Sequence, residues 1–425
     1  MAHPQQQALL NNERVTPQEL IKPLRAFAKT QLHEAIALCE PGVANVCEQD
    51  GESLLNENLQ GGSLSGRNFV LLVSDWCKLK YTHHTAKKDV LAVSHEQDIG
   101  YDLTTHLLVN AQNGRPIAPL EMHLRTTGKV HTTRDEAVRD VPHIDQVLPT
   151  MEAAKHWDLP AKIVHVIDRE ADSVWHMRQW HAAGHVFLVR ANDRQVTWRD
   201  QPATFAGIVE ALALQQSFRR TIDVEIRGRK GYQEIAETTV ILDQPARHRV
   251  AGRKQTIPGE PLALRLVMAR VRDIKTYELL STWYLLTNGD ASQASAELIA
   301  LWYHWRWKIE SYFKLMKSAG MELDHWQQES GGAILNRLLV ASMAAATIWS
   351  LQCVTSAEAT EFKNLLVKLS GKTVKRTRPH TCGALLSGLF VLLRILDFLE
   401  QVNWDFNKIA NIKTTLKKFI PQLRE

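Results

Sequence analysis

Two short apolar runs that each end on an aspartate constrain this chain more than anything else in it. They are Phe69-Val-Leu-Leu-Val-Ser-Asp75 and Ile163-Val-His-Val-Ile-Asp168. Runs of this length, rich in β-branched residues, read as buried strands. Between them, His106–Val109 and Ile117–His123 flank Asn113-Gly114, a strong hairpin signal. Arg134–Trp157 reads as helix, Glu170–Ala183 as a second helix, and His185–Arg190 as a further strand. Strand, hairpin, helix, strand, helix, strand predicts a mixed α/β sheet with helical crossovers.

The flanks carry different patterns. Residues 16–40 read as helix, with Thr16, Pro17 and Glu19 at its start and Leu20, Leu24, Phe27 and Leu32 on one face. Residues 41–67 are polar and glycine-rich and read as a loop or linker. From Gln195 to Asn288 the text is β-like, and after Asn288 nearly everything is helical. The 425 residues exceed the roughly 250–300 at which one core stops growing, so several packed units are expected. The expected divisions are a helical segment and linker (1–67), the first part of an α/β domain (68–194), a β-rich insertion (195–288), a helix completing the α/β domain (289–330) and a helical C-terminal region (331–425).

Composition removes several classes. Glycine (21) and proline (15) are too few for a collagen-like or largely disordered chain. The N-terminus lacks the basic start and apolar stretch of a secretory signal. Leu338–Trp349 and Leu385–Leu393 fall short of ~18 consecutive apolar residues, so no membrane partner is expected. Five scattered cysteines without a CxxC give no disulfide framework or zinc site, which fits a cytoplasmic protein. From Gly371 to Glu425, ten Lys/Arg face four acids, so this stretch carries +6 of a total charge of +5. Such a tail suits a polyanionic partner or, equally, a solvated helix face.

Asp75 and Asp168 stand where ligands bind in open α/β sheets, outside the carboxyl ends of strands. Two carboxylates there suit Mg²⁺, a hard cation with oxygen ligands; strand-end aspartates also serve as helix caps and turn formers. A single helix over Ser292–Ser318 is expected to supply more. At 100° per residue, Tyr303, Arg306, Glu310, Lys314 and Lys317 share one face, opposite Trp302, Trp305, Ile309, Tyr312, Phe313 and Met316. That stripe reads either as a third carboxylate among phosphate-binding cations or as a solvated face with an Arg306–Glu310 ion pair.

These residues carry a family resemblance. Tyr303-x2-Arg306-x3-Glu310-x6-Lys317 resembles the Tyr-Arg-Glu-Lys motif of bacterial insertion-sequence transposases of the IS-four type, which include Tn-five-like enzymes. Val166-Ile-Asp168-Arg-Glu-Ala-Asp172 resembles their DREAD segment, and Leu71–Asp75 followed by Leu79-Lys-Tyr81 the segment with their first catalytic aspartate. The resemblance spans roughly residues 10–350 and implies a ribonuclease H-like mixed sheet interrupted by a β-rich insertion. It further implies a catalytic and metal-binding triad of Asp75, Asp168 and Glu310 using Mg²⁺, with Mn²⁺ as a substitute. Arg306, Lys314 and Lys317 are then expected to hold phosphates and Tyr303 to hydrogen-bond one. Trp283 is expected either to stack on a flipped-out base or to be an ordinary core residue. The implied partners are double-stranded DNA, as transposon ends and target, and a second copy of the chain, paired through the C-terminal region.

The family's small N-terminal end-binding domain, with its LGDxRR-like segment, has no counterpart here, and Leu9–Leu20 resembles the stretch that follows it. A catalytically silent, truncated transposase that binds DNA or forms inhibitory dimers is therefore the alternative, and a hydrolase of small phosphates a third reading. Glu170 and Asp172 are expected to be first-turn helix charges. His83-His84 lacks neighbours at zinc-ligand spacing. Arg227-Gly-Arg229-Lys230-Gly231 is either a DNA-backbone contact or a hairpin tip.

Overall fold

The computed structural model describes residues 15–37, 68–82, 84, 86–226, 228–250, 253–318, 321–373 and 380–401. The expected linker at 41–67, His83, Arg227 and most of the basic tail lie outside the described residues.

β1 (Phe69–Lys80), β2 (Leu91–Ala92), β3 (Ile99–Asn110), β4 (Pro116–Thr126), β5 (Lys129–Thr132), β6 (Lys162–Ile167) and β7 (Val186–Ala191) form one half of a large sheet. Its order is β5-β4-β3-β1-β6-β7, with β3 antiparallel to β1, and β6 and β7 parallel to it. This is the ribonuclease H-like arrangement, and the fold class stands as expected. The Asn113-Gly114 turn does join β3 and β4; Gly114 adopts φ +67°, which favours glycine.

β1 runs further than its apolar pattern. Residues Trp76–Lys80 pair with Thr104–Gly100 of β3 on one side, whereas the β6 register stops at Ser74↔Ile167. Asp75 is therefore mid-strand, yet it sits at the carboxyl edge of the parallel ladder. The β3 pairing sustains the strand after the apolar run has ended.

The helices are α1 (Pro17–Ala37), α2 (His143–Ala154), α3 (Val174–Ala182), α4 (Phe205–Leu214), α5 (Ala296–Trp305), α6 (Lys308–Lys317), α7 (Gly331–Cys353), α8 (Ala357–Leu369) and α9 (Cys382–Gln401). α1 begins with a reciprocal cap: Thr16 N–H donates to Glu19 at 2.9 Å, and Glu19 N–H to the Thr16 hydroxyl at 3.3 Å. The expected Arg134–Trp157 helix starts only at His143. Proline disfavours helical backbone in the residue before it, and Pro142 stands at that boundary. Glu170–Ala183 is likewise divided, with a 3₁₀ turn at Arg169–Ala171 ahead of α3.

The 195–288 stretch holds β8 (Gln195–Trp198), β9 (Gln201–Thr204), β10 (Arg219–Ile226), β11 (Arg229–Leu242), β12 (Ala246–Val250), β13 (Arg253–Ile257), β14 (Leu262–Asp273) and β15 (Leu279–Thr287). Contrary to a purely β-like reading, it also holds α4. The Thr204 hydroxyl caps α4 by accepting from Gly207 N–H at 3.1 Å, and Phe205, Ile208 and Leu212 bury one face. β15 pairs antiparallel with β7 and continues the sheet through β14, β11, β8 and β9, while β12 and β13 form a separate hairpin.

Alternate residues of the sheet feed two cores, as a two-residue period requires. Val166, Leu188 and Leu285 pack in one core with α1, α5, α6 and α7; Ile167, Phe187, Val189 and Leu286 pack in the other with α2, α3 and α4. α7 and α9 are each long and apolar enough to cross a membrane. α7 packs against β4 and α1, and α9 against α8 and α7, leaving Leu393, Ile395 and Leu396 exposed.

Candidate active site

The register of the central strands places the site before any side chain is considered. Ser74 pairs with Ile167 and Ile167 with Val189, so Asp75, Asp168 and Arg190 follow in line at the carboxyl edge. Leu285 of β15 pairs with Arg190. By alternation, Asp168 lies two residues beyond Val166, Arg190 two beyond Leu188 and Trp283 two before Leu285. All three therefore face the core on which α5 and α6 pack.

α5 and α6 are not the single expected helix. Arg306 N–H donates to Tyr303 O at 3.1 Å and Ile309 N–H to Arg306 O at 3.2 Å, three-residue spacings that tighten the chain between them. The 100° wheel fails at this break, and Arg306 turns inward to 7% exposure. Tyr303, expected on the polar face, is buried. Its ring meets the half-buried Trp283 edge-on at 5.5 Å, and burial raises the pKa of its hydroxyl against the neighbouring Arg306 and Arg190 charges. Two other indoles hold α5 in place: Trp302 Nε1–H donates to Ala111 O at 2.9 Å, and Trp305 lies where a side chain on Gly114 would be. The hairpin turn legible in the sequence is thus the seat of the helix.

Arg306 joins the carboxylates. Its Nη1 lies 3.3 Å from Asp75 Oδ2 and its Nη2 2.8 Å from Glu310 Oε1, while its Nε is buried without a hydrogen-bond partner. Burial pushes the Asp75 carboxyl up to about 6; Arg306 and the Trp76 N–H oppose this, and Asp168 and Glu310 add to it. Burial works against the Arg306 charge, but Tyr303, Asp75, Glu310 and Asp168 together raise its pKa. Asp168 also caps the 3₁₀ turn, accepting from Glu170 N–H at 2.7 Å, so cap and site residue are one side chain. Lys314 and Lys317 are exposed on α6, and Lys317 is close enough to lower the Cys77 thiol pKa against its burial.

Of the two other acids of the DREAD segment, Glu170 does stand in the first turn of the 3₁₀ helix, whereas Asp172 follows that turn, and neither lies in α3. Glu170 accepts from Trp76 Nε1–H, and Asp172 pairs with Arg194 and accepts from Asn192 N–H at 2.7 Å. Arg229 of the expected basic turn is engaged by Asp273 and Glu278. Sequence reasoning missed Arg190, although the strand it ends has the same apolar-then-charged form as the two aspartate strands. It also missed a buried network behind the site. Ser74 Oγ and His106 Nδ1 share a hydrogen bond of 2.8 Å, and Thr150, His123 and Arg134 converge on Glu121 Oε1 at 2.8, 2.7 and 2.6 Å.

Among solved structures, a piggyBac transposase synaptic complex with hairpin DNA is similar at 10% identity and a TM-score of 0.29, over 77% of this chain and 54% of that one. The chain thus spans about half the length of that protein. No curated protein matches it. Residues 82–346 match the family described as "Transposase DDE domain", a match that takes in Asp168 and Glu310 and begins just after Asp75. With more than half of its length matched, the chain belongs to the transposase DDE-domain family.

Proposed function

We propose that this chain is a DNA transposase of the IS-four, Tn-five-like type. On this reading it cleaves strands at the ends of its own element and transfers them into target DNA as a dimer in the cytoplasm. The observation that carries the reading is the Arg306 bridge between Asp75 and Glu310, beside Asp168 at the carboxyl edge of β1 and β6. The donor set is three carboxylates, hard oxygen ligands that fit Mg²⁺ and Mn²⁺. Divalent ions there supply an activated attacking oxygen and stabilise the leaving 3′-oxygen of a phosphodiester.

The chain's own residues do the rest. Asp75 must lose its proton to serve as a ligand, and a carboxyl titrating near 6 does so at neutral pH. Arg306 holds Asp75 and Glu310 in position against mutual repulsion. Exposed Lys314 and Lys317 hold backbone phosphates. Water first breaks the bond between phosphorus and the 3′-oxygen; the freed 3′-hydroxyl then attacks, either on the opposite strand to make a hairpin or on target DNA. Trp283 offers a face for a flipped base once its edge contact with Tyr303 opens.

The test uses DNA carrying the inverted repeats that flank the gene. With Mg²⁺ or Mn²⁺ the protein should nick at the repeat boundary. Glu310→Ala should abolish nicking and leave salt-sensitive DNA binding unchanged. Equal nicking by the variant removes Glu310 from the site; binding without nicking by the wild type identifies a silent remnant.

A further inference from the structure

On the sheet face covered by α2 and α3, opposite the one on which α5 and α6 pack, three side chains from separate elements converge. Asp145 in the first turn of α2, His176 on α3 and His248 on β12 each offer a ligand atom, and these atoms lie within 4.8 Å of one another. We propose that Asp145, His176 and His248 form a binding site for one Zn²⁺ ion that fastens the β12–β13 hairpin to the body of the protein.

The chemistry of the donors selects the ion. Two imidazoles and one carboxylate suit Zn²⁺, which takes three protein ligands and leaves a fourth position for water. Sites of this kind orient a ligand histidine through its other nitrogen, and that partner is present: His176 Nδ1 lies 2.8 Å from Ser173 Oγ. His176 Nε2 is 2.7 Å from Asp145 Oδ1. Binding needs a tautomer change, with the proton on Nδ1 donated to Ser173, and a slight opening of the Nε2–Oδ1 contact so that both atoms can face the ion. His176 is buried, which keeps the imidazole neutral and able to ligate. His248 is already directed there, stacked on Trp175 at 5.2 Å and edge-on to the His176 ring at 5.3 Å.

The hairpin supplies the reason for such a clip. Among the described residues its two five-residue strands pair only with each other, and a two-stranded hairpin is marginal in water. The other three-ligand cluster among the described residues, His106, Glu121 and His123, is a poorer choice. There Arg134 already neutralises the buried Glu121 carboxylate, and the Thr150 hydroxyl also donates to it.

Zn²⁺ is titrated into the full chain against a chromogenic chelator, with excess Mg²⁺ to occupy the carboxylate edge. Wild type and Glu310→Ala should each take up one tightly bound ion. His248→Ala and His176→Ala should bind it about a hundredfold more weakly, and Ser173→Ala about tenfold. Trypsin provides a second readout at exposed Arg253 and Lys254. At free Zn²⁺ ten times the dissociation constant, cleavage there should slow about tenfold in wild type and not in His248→Ala. Equal uptake by wild type and His248→Ala, or cleavage indifferent to Zn²⁺, overturns the proposal. Loss of the ion in Glu310→Ala would overturn it too, by assigning the ion to the carboxylate edge. Because Glu310 is not a ligand of the clip, failure of the transposase reading leaves these outcomes untouched.

Discussion

Removing the Asp75 carboxylate should make the metal-free protein more stable as pH rises, at the expense of function. Burial lifts the Asp75 pKa from 3.8 to about 6. An acid whose folded-state pKa is raised contributes stability that is fully present below its unfolded pKa and is lost as pH rises through the folded value. Linkage between these two values gives a penalty of about 1.6 kcal/mol at pH 5 and about 3 kcal/mol at pH 7.5. Asp75→Asn carries no such penalty. Its stability relative to wild type should therefore improve by roughly 1.4 kcal/mol between these pH values, whatever constant cost the lost Arg306 contact adds. Urea unfolding in EDTA, followed by tryptophan fluorescence, measures the difference at each pH. Mg²⁺ should narrow the gap at pH 7.5, because it stabilises only the ionised carboxylate, and nicking by Asp75→Asn should be lost. A difference that is flat with pH, or that moves in favour of wild type as pH rises, refutes the argument.

Three other perturbations probe the surroundings. Burial opposes ionisation of Glu121, but the His123 hydrogen bond and the His123, His106 and Arg134 charges hold its carboxyl well below the usual range. Glu121→Gln strands Arg134 in the core and should cost about 3–5 kcal/mol in chemical unfolding at pH 7, with the deficit shrinking as acid protonates wild-type Glu121. A side chain on Gly388 would lie 1.9 Å from Leu366 O, so Gly388→Ala should force α8 and α9 apart and cost at least about 1–3 kcal/mol, read from the thermal transition. Replacing Lys314 and Lys317 with alanine should lower the slope of log DNA affinity against log salt by about 0.9 for each phosphate contact removed.

The pattern of apolar runs and turn residues determined a good deal of this protein without help. Phe69–Val73 and, His165 apart, Ile163–Ile167 are apolar because both faces of their strands are covered, and Asn113-Gly114 can hardly be other than a hairpin turn. These local rules placed the central strands, the α1 start and the carboxyl edge on which Asp75 and Asp168 stand. Tertiary structure decided what local rules do not contain. β3 pairing carried β1 five residues past its apolar run, and the tightened turn at Arg306 broke a helix whose letters read as continuous. Arg306 was thereby drawn from an expected solvated stripe into the space between two carboxylates. Arg190 and Glu121 joined the region only through register and packing across many intervening residues. Periodicity reports which face of an element is wet, since side-chain burial is a local preference. The meeting of charges from distant elements depends on how strands align and helices bend, and no window of neighbouring residues encodes that.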